Sequence, residues 1–121
     1  MIGLGIDAVD IDRFARALER SPLLARRVFT DDERALAERR ADSAAVLAAR
    51  FAVREATMKA LGVGLGAFNF HDVSIRTSAD GRPSLEVGGR AAELARERGV
   101  AQWHVSISHT DNLAVAVVAA D

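Results

Sequence analysis

The spacing of hydrophobic positions changes near the middle of the chain, and this change separates two kinds of predicted element. In the first half, apolar residues recur at helical intervals, as at Ile11, Phe14 and Leu18, which predicts amphipathic helices. In the second half, short stretches alternate apolar and polar residues, a pattern typical of strands. The opening stretch MIGLGIDAV is an exception in the first half, because its β-branched and alternating residues predict a strand.

Most of the predicted helices lie in the first half of the chain, and most of the predicted strands lie in the second half. Helices are expected over 10–21, 22–29, from Thr30 onward, over 44–61 and over 90–100; strands are expected over 1–9, 71–77, 83–89, 103–110 and 112–120. Asp80 and Gly81 give a turn signal between two of the strands. A helical first half followed by a mostly β second half predicts an α+β fold with an antiparallel sheet and a long central helix, in a single domain over 1–121.

Several residues predict where helices begin and end. Thr30 stands three residues before Glu33, the spacing of a capping box in which each side chain satisfies the other's free backbone N–H. Pro22 is tolerated in the first turn of a helix. Ser43 is a candidate N-cap for the long helix, and Gly62 is placed to end it.

Composition limits the function classes. The chain has 121 residues, 50% of them hydrophobic and 27% charged, which describes a globular protein rather than a disordered one. It has no cysteine, so disulfides and thiolate metal sites are excluded. Its apolar runs are too short to span a bilayer and its N-terminus lacks the order of a signal peptide, so a cytoplasmic protein is expected. The net charge of −1 argues against a surface that binds nucleic acid throughout.

Positive charge is concentrated in one part of the chain. Five arginines occur there against one acid, Glu19, namely Arg13, Arg16, Arg20, Arg26 and Arg27. Such a patch suits an acidic partner, although a solvated helix face is an equal alternative on charge alone.

The long predicted helix contains the stretch ARFAVREATMKALG, in which Glu55 and Lys59 stand four residues apart. Its core stripe is expected to consist of Leu47, Phe51, Met58 and Leu61. Glu55 and Lys59 lie beside that stripe, on a flank otherwise made of Ala48 and Ala52. Small residues on that flank predict room for a ligand or another chain. The plain alternative is a surface ion pair worth a few tenths of a kcal/mol.

Asp7 at the end of the first strand adds a second carboxylate to Glu55. Two carboxylates are a minimal oxygen site for Mg²⁺, which completes its shell with waters and substrate phosphates. The alternative for Asp7 is a turn or cap residue. The segment GVGLG follows a helix instead of opening one, so it is not a nucleotide-binding fingerprint.

Histidine chemistry of other kinds is less favoured. In HVSISHT, Ser108 and His109 are adjacent in a strand and point to opposite faces, which makes them a poor nucleophile and base. A zinc hydrolase using His71, His104 or His109 would be expected to show HxxxH or HExxH spacing, which does not occur.

Four blocks in the order GIDAVDIDRF, AARFAVREATMKALGVG, DGRP and HVSISHT resemble the small trimeric phosphopantetheinyl transferases, the holo-[acyl-carrier-protein] synthase family, over most of the chain. The resemblance implies a 4′-phosphopantetheinyl transferase-like fold. It also implies a magnesium-dependent transfer of 4′-phosphopantetheine from coenzyme A to a serine of apo acyl carrier protein, a step of fatty acid biosynthesis or polyketide synthesis. A homotrimer with active sites between subunits is implied as well.

The resemblance also assigns residues. Asp7 and Glu55 match the metal carboxylates; Glu55, Lys59 and His109 match catalytic positions; and the arginines from Arg13 to Arg27 match the carrier-protein docking surface. The coenzyme A-binding positions are Asp7, Arg50, Glu55, Lys59, Gly62, Arg82, Pro83, His109 and Thr110. Glu55 is the first candidate for the general base, with His109 or Asp111 as alternatives.

Two residues depart from the family pattern. Arg54 stands where the family usually has lysine, and Val63 replaces a threonine.

One feature separates an enzyme from a binding module. A module that binds coenzyme A or an acidic protein without turnover would not need Asp7 and Glu55 together, so the pair favours an enzyme.

Overall fold

A helix of 19 residues forms the centre of the molecule, and the other elements surround it. The computed structural model describes residues 1–121. In chain order its elements are β1 (Gly3–Asp10), α1 (Ile11–Arg20), α2 (Leu24–Val28), α3 (Asp31–Glu38), α4 (Ser43–Leu61), a 3₁₀ turn (Phe70–Asp72), β2 (Val73–Thr77), β3 (Pro83–Val87), α5 (Gly89–Glu97), β4 (Trp103–His109) and β5 (Leu113–Ala120). The α+β prediction is confirmed. None of the helices combines the length and apolar character that crossing a membrane requires.

The strands form two antiparallel sheets, where the sequence predicts one. The first has the order β1-β5-β4 and the second is the β2-β3 hairpin. The first and last strands of the chain are neighbours, with Asp7 opposite Ala116 on β5. On the other side of β5, His109 is opposite Ala114. The sequence pattern identifies the strands but not their partners, so the division was not predictable from alternation alone.

The central helix α4 lies very close to β1. A Cβ atom at Gly3 would lie 1.8 Å from the carbonyl oxygen of Ala60, and one at Gly5 would lie 1.8 Å from that of Ala56. Only glycine permits this approach. The facing side of β5 is equally small and fully buried, consisting of Ala114, Ala116, Val118 and Ala120.

This close packing corrects one prediction about α4. Ala48 and Ala52, expected to leave room for a ligand or another chain, are fully buried within the molecule. They are small because the sheet lies against them. Fourteen of the 19 residues of α4 are buried, so the predicted stripe is only part of a surface that is covered on most sides. Of that stripe, Leu47, Met58 and Leu61 are buried and Phe51 is half-buried.

The helix boundaries follow the predicted signals with two differences. Thr30 and Glu33 form the predicted capping box, and Gly62 ends α4 with a φ of 69°. Ser43 is the first residue of α4 and not its cap, because Asp42 occupies the cap position. The helix predicted from Pro22 begins two residues later, at Leu24.

One side of the three-stranded sheet is uncovered, and it is apolar on β1 and β5 but polar on β4, which contributes the exposed His104, Ser106 and Ser108. Leu4 and Ile6 on β1 have 60% and 59% of their surface exposed. They lie opposite Ala119 and Val117 of β5, on the side away from α4. We call the apolar part of this side the outer sheet face; it consists of Leu4, Ile6, Ala8, Val115, Val117 and Ala119.

Candidate active site

The close contact of β1 and α4 brings three predicted site residues together. Lys59 on α4 donates a hydrogen bond to the carbonyl oxygen of Ile6 at 2.8 Å, and its Nζ lies 3.4 Å from Oδ1 of Asp7. No ion pair joins Lys59 to Glu55, although the two are four residues apart on one helix. The surface pair considered from the sequence is therefore not formed, and Lys59 instead links α4 to β1.

The electrostatics of this site favour a cation. Burial raises the pKa of Asp7, and the hydrogen bond from Lys59 offsets only part of that rise. Burial and then the charge of Asp7 raise the pKa of Glu55, with Lys59 acting in the opposite direction. Each carboxylate is thus less stable in its ionised form than in water because of burial, and for Glu55 the charge of Asp7 adds to this effect. A hard cation between them would remove this penalty.

The donor set is compatible with Mg²⁺ but not with a metal held by protein ligands alone. The chain has no group of three or more histidine, aspartate or glutamate side chains placed to hold a metal ion. Mg²⁺ keeps several waters and uses one or two carboxylates with substrate phosphates, so Asp7 and Glu55 meet its requirement. Because the carboxylates are only partly buried, there is access for such a substrate.

A cavity of about 550 Å³ connects these carboxylates to α1. It is lined by Asp7, Glu55, Phe51 and residues along the end of β1 and the exposed side of α1, including Arg13, Arg16 and Arg20. Arg26 and Arg27 line a different groove, with Leu65 and Phe68. The predicted five-arginine surface is therefore divided, and three of its members share a cavity with the carboxylates.

The remaining predicted residues lie elsewhere on the chain. Arg50 lines a cavity of about 280 Å³ between α3 and the β2-β3 hairpin. His109 and Thr110 line another at the start of α4. Neither cavity includes Asp7 or Glu55. Arg82 is exposed and Pro83 half-buried at the hairpin turn, so one chain does not bring the predicted coenzyme A-binding residues together.

The three histidines have separate surroundings, which leaves the zinc-hydrolase alternative without a shared site. His71 Nε2 lies 2.7 Å from the carbonyl oxygen of Arg26, and His104 Nε2 lies 3.6 Å from Asp121. His109 Nδ1 lies 3.2 Å from the carbonyl oxygen of Thr110. Asp111, the other alternative to Glu55 as a base, lines the cavity of His109.

A buried ion pair was not predicted. Arg54 is fully buried, and its guanidinium donates to both carboxylate oxygens of Glu33, at 2.5 and 3.1 Å. Its Nε donates to the carbonyl oxygen of Phe70 at 2.8 Å. The signal in the sequence was an arginine within an apolar helix face, since a buried charge requires a partner. Glu33 had been assigned only its capping role.

The chain is similar to known proteins over almost its whole length. A sequence model of the 4′-phosphopantetheinyl transferase superfamily matches residues 3–118. The chain is 47% identical over 121 residues to a holo-[acyl-carrier-protein] synthase of Salinispora arenicola, covering all of this chain and 98% of the relative. It is equally similar, with the same coverage, to that of Streptomyces coelicolor.

Solved structures of holo-[acyl-carrier-protein] synthases have the same fold as this chain. The crystal structure of holo-[acyl-carrier-protein] synthase from Neisseria meningitidis superposes with a TM-score of 0.90 at 29% identity, covering 100% of this chain and 98% of that one. The Helicobacter pylori synthase in complex with coenzyme A superposes with a TM-score of 0.82 at 30% identity, covering 98% and 99%.

Proposed function

The chain belongs to the 4′-phosphopantetheinyl transferase superfamily and transfers 4′-phosphopantetheine from coenzyme A to a serine of apo acyl carrier protein, and we propose that Asp7 and Glu55 hold the Mg²⁺ for this reaction. The products are holo acyl carrier protein and adenosine 3′,5′-bisphosphate. The observation that carries the proposal is the pair of half-buried carboxylates beside Lys59. A bound Mg²⁺ would neutralise charge on the diphosphate oxygens as the leaving group departs.

Lys59 has the charge and the exposure needed to act on the leaving group. In the transfer, the serine oxygen forms a bond to the phosphorus that carries pantetheine, and the bond from that phosphorus to the adenosine 3′,5′-bisphosphate oxygen breaks. Lys59 is held by Ile6 and Asp7 but remains about half exposed, so its ammonium can stabilise or protonate the departing phosphate.

Glu55 is the group that we propose as acceptor of the serine proton. Burial and then the charge of Asp7 raise the pKa of Glu55 in the chain without metal, and a bound Mg²⁺ would lower it again, so the case for Glu55 rests on its position. Glu55 lies in the cavity that contains the arginines of α1. His109 and Asp111 line a separate cavity in the same chain, so they can take this role only across a subunit boundary.

We propose that Arg13, Arg16 and Arg20 dock the acidic carrier protein. They line the cavity of Asp7 and Glu55, so a carrier bound there would present its serine near the carboxylates. The attraction is electrostatic and exposed, which suits a substrate that must leave after each turnover. Arg26 and Arg27 extend the basic surface on a neighbouring groove.

A homotrimer with active sites between subunits is supported by two features. The outer sheet face exposes large apolar side chains, Leu4 and Ile6, that a second copy would cover. The residues matched to coenzyme A are spread over separate surfaces of one chain. Because the resemblance assigns these residues to one site, we propose that contact between copies brings His109 and Thr110 of one to Asp7 and Glu55 of another. Residues 1–121 then act as one transferase domain, and the cytoplasmic location remains a prediction.

The proposal is tested by intact mass of a purified apo acyl carrier protein after incubation with coenzyme A, Mg²⁺ and this protein. We expect an increase by the mass of one phosphopantetheine group, absent when chelator removes Mg²⁺ and absent for a carrier whose acceptor serine is replaced by alanine. An unchanged carrier mass, together with measurable coenzyme A binding, would instead indicate a binding module without turnover. Carriers of fatty-acid and polyketide synthesis should be compared in parallel.

A further inference from the structure

A buried carboxylate, that of Glu33, lies between two arginines of α4 but pairs with only one of them. Arg54 takes both of its oxygens, Nη2 at 2.5 Å from Oε1 and Nη1 at 3.1 Å from Oε2. Oε1 also accepts from the backbone N–H of Thr30 at 3.0 Å, and Oε2 lies 3.4 Å from that of Ile75. Glu33 therefore has no free oxygen for another cation.

The second arginine, Arg50, lacks a comparable partner. Only 9% of its surface is exposed, yet its Nε has no hydrogen-bond partner, and its Nη1 reaches only the carbonyl oxygen of Val46 at 3.4 Å. Arg50 and Glu33 line the same cavity of about 280 Å³. Burial lowers the pKa of Arg50, and the negative charge of Glu33 partly offsets that lowering.

We propose that Arg54 is a positioning residue, which by occupying both oxygens of Glu33 keeps that carboxylate from pairing with Arg50 and leaves the Arg50 guanidinium available to an anionic group of the nucleotide part of coenzyme A. This inference rests on the proposed function, to which we add that Arg50, matched to coenzyme A by the resemblance, binds the nucleotide part of that substrate.

The physical basis is competition for one buried acid. A buried carboxylate deprived of its partner is strongly unfavourable, so without Arg54 it would move to the nearest cation, Arg50. Arg54 prevents this because its planar fork donates to both oxygens at once, whereas the ammonium of a lysine, which is usual at this position in the family, would hold the carboxylate as a point charge and less firmly. The fork is itself fixed by the Phe70 carbonyl and by the ring of Phe29, whose centroid is 5.2 Å from the guanidinium carbon.

The direct test measures the guanidinium N–H exchange of Arg50 by NMR without coenzyme A, in the unmodified chain and in Arg54→Lys and Arg54→Met. We expect slower exchange in both variants, more so in Arg54→Met, because Glu33 engages Arg50 when released. Unchanged exchange in the folded Arg54→Lys protein would overturn the proposal. Arg54→Lys keeps the cation, so this arm does not depend on the folding of the methionine variant.

The kinetic test uses a reversal that a purely structural role would not produce. Arg54→Met should raise the KM for coenzyme A by roughly tenfold or more, the scale of one charge-assisted hydrogen bond, with a much smaller change in kcat. Glu33→Gln combined with Arg54→Met should bring the KM back towards that of the unmodified chain, because the competing carboxylate is gone. A double variant with a KM as high as that of the single one would contradict the proposal.

Failure of this inference is distinguishable from failure of the proposed function. If Arg50→Gln leaves the KM for coenzyme A unchanged, Arg50 does not bind the nucleotide, and that part of the proposed function is wrong whatever the exchange data show. If Arg50→Gln raises the KM while Arg54→Met does not, the nucleotide role stands and the positioning role of Arg54 is wrong.

Discussion

Lys59 contacts Asp7 across the β1–α4 boundary, with Nζ 3.4 Å from Oδ1. This contact uses the lysine to join helix and strand and leaves Glu55 without a cation of its own. Two carboxylates and one ammonium group thus meet where two elements pack without intervening side chains. The geometry of the site therefore depends on how closely β1 approaches α4.

Gly5→Ala should disrupt the site through the backbone. The added Cβ would meet the carbonyl oxygen of Ala56 at 1.8 Å, so β1 must move away from α4 and carry Asp7 with it. We expect a loss of about 1–3 kcal/mol in the free energy of unfolding, as for overpacked cores, together with a large loss of transfer activity. Urea unfolding and transfer rate are the measurements.

Gly64→Ala is the matched control for stability, because a Cβ at Gly64 meets nothing within 4 Å. Its free energy of unfolding should be nearly unchanged. Equal stability of the Gly5 and Gly64 variants would show that β1 and α4 are not as close as described.

Acid should remove the contribution of the Glu33–Arg54 pair to the free energy of unfolding. Burial tends to raise the pKa of Glu33, but the hydrogen bonds and charge of Arg54 outweigh it, so the pKa of Glu33 is lowered in the folded chain. A lowered carboxyl pKa contributes stability above the unfolded value near 4.5, and this stability is lost as the pH falls through the folded value. Glu33→Gln leaves Arg54 buried and unpaired, which should cost about 3–5 kcal/mol at neutral pH.

Urea unfolding of both proteins from pH 7 downward checks this expectation. The difference between them should be constant above about pH 5 and should shrink at lower pH, as Glu33 of the unmodified chain becomes protonated. If the difference in the free energy of unfolding stayed the same down to the lowest pH measured, Glu33 and Arg54 would not form an ionised pair.

The outer sheet face should hold subunits together. We expect light scattering of the unmodified chain at micromolar concentration to give the mass of a trimer, and Leu4→Glu to reduce it, because a charge in a buried apolar contact is costly. Leu65→Glu makes the same change at another exposed leucine, outside this face, and should leave the mass unchanged. A monomer mass for the unmodified chain would refute the trimer.

Charge reversal on α1 should affect the carrier protein and not coenzyme A. Arg13→Glu with Arg20→Glu should raise the KM for the carrier much more than that for coenzyme A, and added salt should weaken carrier use by the unmodified chain because exposed charges are screened. Arg96→Glu with Arg98→Glu, both exposed at the C-terminal end of α5, is the control for net charge. Equal changes in both KM values would show that the α1 arginines do not dock the carrier.

The sequence predicted the elements well because their signals are local. The capping box of Thr30 and Glu33, the end of α4 at Gly62 and the α+β class are all confirmed. Local patterns are sufficient for such features. The grouping of Asp7, Glu55 and Lys59 in one site was predicted mainly through the resemblance, which spans most of the chain.

Features that depend on which elements pack together were not predictable in this way. Ala48 and Ala52 were taken for an open flank, although they are covered by a sheet whose order is set by distant pairing. The partner of Arg54 lies 21 residues earlier, on another helix. Lys59 had a candidate acid four residues away, yet its partner is 52 residues away. Spacing within one helix could not decide between those acids.

The most direct test of the account is the transfer rate as a function of Mg²⁺ concentration for the unmodified chain and for Glu55→Gln. Asp7→Asn should behave like Glu55→Gln if both carboxylates hold one ion. Glu38→Gln, the same change at an exposed glutamate of α3, is the matched control. Circular dichroism and light scattering show whether each variant keeps its fold and its association state.

If Glu55 holds the metal and accepts the serine proton, Glu55→Gln should lower the rate by roughly a hundredfold or more while the fold and the association state persist. Extra Mg²⁺ should restore at most part of that rate, and the control should match the unmodified chain. A folded Glu55→Gln protein with a near-normal rate and an unchanged dependence on Mg²⁺ would contradict the assignment of Glu55 as a metal ligand.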